Sequence, residues 1–596
     1  MADSPRRDGS GVVRLTLYSN GAQVADSVKI ISVTVDKSIN RVPAARITVL
    51  DGDMPEQDFP VSNSDAFKPG REIRIAAGYD NQEQTIFQGI VTSQGIRISG
   101  DNYSRLEVEC RDKAVAMTIG RRNATYVDSR DSDIISTLIA SYGGLSADVA
   151  ATATQHRELV QYYCSDWDFM LSRAEVNGML VMADDGRVSV KAPQVDVPPL
   201  LAVGYGQDLI EFSADLDATS QLVSVTSVCW DMKKQAVAEE KAQPATLNQQ
   251  GDLDSKALAR VAGPASFRLQ TSATMERSAL KEWAAGQQLK AGLARIRGRM
   301  KFQGSATARI GGTIKLEGVG NRFNGTLFVS GVRHDIREGN WTTEVEFGMS
   351  REWFAERRDL VAPPASGLTP GIEGLHIGVV KKLDQDPGGE QRVQVSIPVL
   401  QAETDGVWAR LAKFHASNGI GAFFIPEIGD EVVLGYVNND PSHPVILGSL
   451  YSSSRPPPHE LTADNFTKAI VTRSKLRVEF DDDKKEVTIL TPAGNTIVLS
   501  DNDKKILVQD QTGNRVELGT GGITLDSPKD IGISAKGKIS IDAVGAIAIS
   551  SKADVKITGL NISNSANVGF TAKGSASAEL SASGQTTVKG AMVMIN

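Results

Sequence analysis

The sequence predicts a mainly β protein: β-barrel domains with a few helices, then a small OB-fold barrel, then a C-terminal intertwined trimeric β-helix needle. Three observations carry this. Alternating apolar and polar runs recur along most of the chain, the period of half-buried strands. One Pro/Gly/Ser stretch, APPASGLTPG from Ala362 to Gly371, has the composition of a linker. From Ile523 to Met594 the alternation continues with no helical pattern and almost no proline.

The bulk numbers bound the function. A chain of 596 residues is too long for one core and implies several domains. It is 41% hydrophobic and 23% charged, as an ordinary globular protein is. A formal charge of −8 gives no electrostatic footprint for nucleic acid. No apolar run is long enough to span a bilayer. The start, MADSPRRDGSG, is polar, so synthesis in the cytoplasm without a signal peptide is expected. Cys110, Cys164 and Cys229 lie far apart, an odd and sparse set that suits neither a disulfide framework nor a zinc site.

The elements follow in order. RLTLYS, SVKIISVTVD and ARITVLD alternate as strands. In DSDIISTLIASYGG, Ile134, Ile135, Leu138, Ile139 and Tyr142 share one helical face, and Gly143 is the expected cap. In SDWDFMLSRAEVNG, Ser165 with Asp168 has the spacing of a capping box and Gly178 ends the helix. Asp185-Gly186 is a hairpin turn. In ALKEWAAGQQLKAGLARIRGRM, Leu289, Leu293, Ile296 and Met300 are spaced for one helix. Beyond the linker, HIGVVKKL, QRVQVSIPVL, VWARLA and the stretch from Gly421 to Tyr451 read as five short strands, the count of an OB-fold.

The C-terminal region differs. From Ile523 to Ile557 apolar or small residues hold the odd positions, among them Ile531, Ile539, Ile547 and Val555. After Gly559 the even positions take over, through Ile562, Phe570 and Met594. A flat sheet of this kind would expose one apolar face and a long edge. Several copies wound about one axis bury both, most simply as a homotrimer. Frequent Ala, Gly and Ser at the inward positions imply a narrow lumen.

Several stretches together resemble a known family. FFIPEIGDEVVLGYVNNDPSHPVILGSLY resembles the OB-fold signature of VgrG-type spike proteins and phage baseplate spikes. SDWDFMLSRAEVNG and FKPGREIRIAAGYD resemble the hub of the same proteins, and NTIVLSDND the start of their shaft. VKIISVTVDKSINRVPAARITVLDGD is most similar to the spike of extracellular, phage-tail-like contractile injection particles; a type VI secretion VgrG spike is the alternative. The resemblance implies a phage-hub-like domain of two β-barrels with inserted helices over residues 1–361, a linker at 362–371, an OB-fold at 372–455, a connector at 456–475 and a needle at 476–596. It further implies a structural piercing spike, not an enzyme. The expected partners are two further copies, inner tube and baseplate proteins, a PAAR-type tip protein and, in some relatives, cargo effectors. The spike would act extracellularly within an assembled particle, touching the target membrane only mechanically. The tip protein would dock on Met592, Val593, Met594, Ile595 and Asn596. No cofactor or metal is expected, and no histidine follows His459.

The chemical alternatives are few. Glu427 and Asp430 could form an acid pair, but Pro426-Glu427-Ile428-Gly429-Asp430 reads as a barrel corner. His415 and His443 lack further ligands at metal spacing. DQDPGGE at 384–390 and DDDKK at 481–485 do not fit a twelve-residue calcium loop, and SDWD reads as a helix cap. A different class, a glycan-binding or glycan-degrading β-helical tailspike, needs a groove rich in aromatic residues, yet after Phe480 only Phe570 is aromatic.

Overall fold

The computed structural model describes residues 3–6, 11–80, 82–100, 103–357, 360–400 and 406–595. It divides into two compact units, Met1–Leu450 and Tyr451–Asn596.

The first unit is dominated by a thirteen-stranded sheet. Its central strand, Gly325–Arg337, pairs with Ile30–Ser38, with Asn340–Phe347 and with Thr313–Glu317. Two separate cores form on this sheet. Val33, Ile47, Ile75, Phe87 and Val108 build one together with Trp341. Met300, Phe302, Ile314, Leu327 and Val345 build the other. Alternation explains both, because successive residues of a strand point to opposite faces.

Two helices sit where the sequence places them. Asp131–Ala140 buries Ile134, Ile135, Leu138 and Ile139, although the left-handed glycine after it is Gly144 (φ 79°) rather than Gly143. Asp166–Val176 is capped by Ser165, whose hydroxyl oxygen accepts the Asp168 N–H at 3.1 Å. Asp185 and Gly186 both have positive φ, at 53° and 82°, as a type I′ hairpin turn requires. The third helix is shorter than its spacing suggests. It covers Arg277–Leu293, and Ile296 and Met300 lie on the next strand, Ile296–Gln303. A spacing of four fits one face of either element; Ile296, Met300 and Phe302, all buried, follow the strand period. Gly298 fixes that choice. A Cβ there would meet the Ser213 carbonyl oxygen at 2.2 Å and the Phe347 ring at 2.6 Å.

Residues 376–449 close into a five-stranded barrel of His376–Lys382, Val393–Ser396, Val407–Leu411, Pro444–Ser449 and Glu431–Tyr436. Val380, Val395, Ala409, Val432 and Leu434 fill it.

The second unit carries a seven-stranded antiparallel meander from Thr467–Val471 to Gly522–Asp526, each strand paired with the next. Among the described residues no strand follows Asp526.

One buried group makes the first unit sensitive to pH. His334 is fully enclosed, and its Nδ1 accepts from the Trp341 indole N–H at 3.4 Å and lies 3.0 Å from the Thr343 hydroxyl. An indole only donates, so Nδ1 is the unprotonated nitrogen. Burial, helped by the charge of Lys37, pushes the imidazole pKa down to about 3. The unfolded chain takes up this proton near pH 6.5 and the folded one does not. The contribution is therefore complete above about pH 6.5 and is lost progressively toward pH 3. His334→Asn keeps an acceptor but cannot ionise. We expect the urea midpoint of the variant to fall less between pH 7 and pH 4 than that of the parent; parallel profiles would contradict this.

Candidate interaction surfaces

The meander of the second unit is two-faced. On one face every strand after the first contributes an apolar pair: Val478/Phe480, Val487/Ile489, Ile497/Leu499, Ile506/Val508, Val516/Leu518 and Ile523/Leu525 line up through the strand register. The other face is mostly polar, with Glu479, Thr488, Glu517 and Thr524 on it. The apolar face is only partly covered among the described residues. Ile489, Ile497, Leu499, Ile506 and Val508 remain 37–44% exposed, although a strand pairs on each side of every one.

After Asp526 the backbone bends at regular intervals, at Pro528, Lys536, Val544, Lys552 and Leu560. Each straight piece carries an apolar pair: Ile531/Ile533, Ile539/Ile541, Ile547/Ile549 and Val555/Ile557. The pairs repeat every eight residues, a spacing that period-two reading alone overlooks. The first member of each pair is 51–56% exposed and the second 69–76%. Met592, Met594 and Ile595 are more than three-quarters exposed and Val593 about half. Asn596 lies outside the described residues.

The residues singled out for chemistry sit in structural roles. The Glu427 N–H donates to the Asp430 carboxylate at 2.8 Å, and the Asp430 N–H returns to the Glu427 carbonyl at 3.0 Å. With Gly429 at φ 85°, this is a turn. The Gly429 N–H and the Asp430 carbonyl then pair with Val380, so the turn is a corner of the barrel. The Asp386 carboxylate accepts the N–H groups of Gly388 and Glu390 and the Arg392 guanidinium, which holds its pKa well below the usual range. Asp481 closes a hairpin by accepting the Lys484 N–H. His443 pairs with Asp440 at 3.0 Å, and His415 is exposed. No group of three His, Cys, Asp or Glu side chains among the described residues has the geometry of a metal site, and no helix among them is long and apolar enough to cross a membrane.

A buried polar cluster escaped sequence reasoning. Asp131 accepts from the Arg173 guanidinium at 2.6 and 3.0 Å and from Asn177 at 2.9 Å, with His156 at 3.0 Å. Burial raises its pKa, but the Arg173 contacts outweigh this and hold it low. Its members come from two helices and a strand, so spacing along the chain could not reveal it.

A mainly β first unit with a closed five-stranded barrel, and a second unit with a single-layer meander, define the class: a baseplate-injector protein on the plan of VgrG-type spikes. More narrowly, the chain belongs to the Alg8 N-terminal domain family, whose model matches residues 9–338. A second model, the type VI secretion system/phage-baseplate injector OB domain, matches residues 376–451. The chain is similar to the type VI secretion system spike proteins VgrG4b of Pseudomonas aeruginosa, 38% identical over 115 residues, and VgrG3 of Vibrio cholerae, 25% identical over 186 residues. These stretches are 18% and 24% of this chain and 14% and 17% of those proteins, so the match spans under a fifth of each relative. Among solved structures, the E. coli c3393 protein, described as a type VI secretion component with structural similarity to the T4 phage tail proteins gp27 and gp5, aligns over 73% of this chain and 99% of its own at 13% identity and TM-score 0.36. A Francisella PdpA-VgrG complex chain aligns over 87% of this chain and 88% of its own at 10% identity and TM-score 0.37.

The polar cluster makes a stability prediction. Arg173→Met leaves a buried carboxylate without its bidentate partner, which costs about 3–5 kcal/mol. Denaturant titration of the purified variant should show that loss; a change under about 1 kcal/mol would mean the Asp131 charge is held by other groups.

Proposed function

We propose that this protein is the structural piercing spike of a contractile, phage-tail-like injection system. In this reading three copies join an inner tube and baseplate to a sharp tip and breach the target envelope when a sheath contracts. The protein performs no reaction of its own. Residues 1–361 form the hub, 372–455 the OB-fold, 456–475 a connector and 476–596 the needle. A type VI secretion spike is the second reading; the VgrG relatives favour it over the matched stretches.

One observation carries the proposal: the apolar pairs that run from Val478 to Ile557 and stay half-buried or exposed in one chain. Single-layer sheets are not stable with one face that apolar. Three copies about a common axis turn these pairs inward and supply hydrogen-bond partners to the extended backbone after Asp526. Interwound strands must unthread before they unfold, so the needle should resist heat and detergent for kinetic reasons.

Light scattering on the purified protein should give three times the chain mass. Ile547→Asp places like charges together near the axis, and burying each unpaired costs at least several kcal/mol. The variant should lose assembly or detergent resistance. A variant that assembles and melts like the parent would overturn the inward assignment of the apolar pairs.

The exposed apolar residues Met592, Val593, Met594 and Ile595, with Asn596, are proposed to seat a PAAR-type tip protein, because an uncovered apolar end with open strand edges invites aggregation. Truncation after Gly590 removes them and leaves most of the pairs. It should preserve the trimer and abolish co-purification with the tip protein; retained binding would place docking elsewhere.

A further inference from the structure

The first unit contains a cleft of about 860 Å³ that no part of the spike reading uses. Its walls come from four places: Leu222–Ser224, the stretch from Lys241 to Asp254, the start of the helix Ser255–Ala262, and Gln288 of the long helix with Arg295 just beyond its end. The volume lies within the range of ordinary ligand sites.

The charges in the cleft are unbalanced. Both carboxylates are committed. Asp252 pairs with Arg322 at 2.7 Å, and Asp254 caps the helix by accepting the Ala257 N–H at 2.6 Å. The three cations have no carboxylate partner among the described residues: Lys241 and Lys256 are exposed and form no ion pair, and Arg295 bonds only to main-chain oxygens. Arg295 is 6% exposed. One of its amino groups donates to the carbonyls of Asn248 and Gln250, at 3.1 and 3.0 Å, and its Nε has no acceptor. A buried cation without a counter-charge is costly. Burial pulls the Arg295 pKa down, and only the field of Asp254 opposes it.

The segment that lines the cleft also carries unpaired main-chain donors. From Gln243 to Gln249 no N–H donates to another protein group among the described residues. Pro244 has none, and Asn248 is buried. Free main-chain donors are what β-strand addition uses.

We propose that this cleft binds an acidic, extended peptide segment of another protein, with Lys241, Lys256 and Arg295 facing its carboxylates and the 243–249 main chain pairing with its backbone. A small dianion would satisfy the cations and leave the main-chain donors idle; a peptide uses both. The contribution of Lys241 and Lys256 is through-space attraction at the rim, so it weakens with salt.

The full-length protein is titrated with a fluorescent peptide of alternating glutamate and alanine, read by anisotropy, beside the same peptide carrying glutamine for glutamate. Saturable binding of the acidic peptide is expected, weakened at least about tenfold by the glutamine change and by the double variant Lys241→Glu/Lys256→Glu. Both lysines are exposed, so that variant should fold, and light scattering checks its assembly. Equal binding by parent and double variant would overturn the proposal, as would no saturation at any accessible concentration. Displacement of the peptide by an equal concentration of free glutarate would also overturn it, because the main-chain donors would then contribute nothing.

Discussion

A strand whose alternate residues are apolar must put one face somewhere dry, and nearly everything in this molecule follows from how each region meets that demand. In the first unit the demand is met within the chain. The large sheet carries two cores in which Val33, Ile47, Phe87, Phe302 and Val345 reach essentially zero exposure, and the five-stranded barrel closes on its own side chains. In the second unit the same alternation builds a single layer, and its apolar pairs remain only partly covered. Intrachain pairing stops where the geometry of one chain no longer supplies a neighbour. The hydrogen-bonding groups after Asp526 then need partners as much as the side chains do.

How much of this was legible depends on the reach of each signal. Local signals were read well. Ser165, the Asp185-Gly186 turn and the face of Ile134 to Ile139 depend on residues within a few positions of one another. The barrel strands were legible for the same reason. Spacing misled where two periods coincide: Leu289 to Met300 fit a helix, but Gly298 pairs with Ala214 so closely that a Cβ there would strike the Ser213 carbonyl, and the chain has already turned into a strand. The helix Ser255–Ala262 was overlooked, although Asp254 three residues before Ala257 has the spacing of a cap. The Asp131 cluster and the cleft at Lys241 were beyond reach, because their members meet only through tertiary packing.

The candidate surfaces divide in the same way. The acidic turns that invited a chemical reading are backbone devices. Asp430, Asp386 and Asp481 spend their oxygens on N–H groups of their own loops, which is what short polar side chains at strand corners do. A carboxylate committed to holding a turn is poorly placed to move a proton. By contrast, the side chains of Lys241 and Lys256 form no ion pair that the structure records, and the N–H groups of residues 243–249 donate to no protein group among the described residues. Groups with no structural employment are the better pointers to a partner.

The repeat after Asp526 resolves a feature that alternation alone leaves unexplained. The apolar phase moves from odd to even positions at Gly559. In a continuous strand such a shift would turn every later side chain to the wrong face. Here the bends move with it. Ile523, Ile531, Ile539, Ile547 and Val555 are spaced by eight residues, Val555 and Ile562 by seven, and the spacing of eight then resumes at Phe570 and Ala578. The next bend after Leu560 comes at Asn567 rather than Val568, one residue early relative to the series. Ile531, Ile539, Ile547, Val555, Ile562 and Phe570 each lie five residues before the following bend, so the apolar phase follows the bends and not the count along the chain. A shift of one residue is absorbed within a single repeat, and the spacing of eight residues is restored after it.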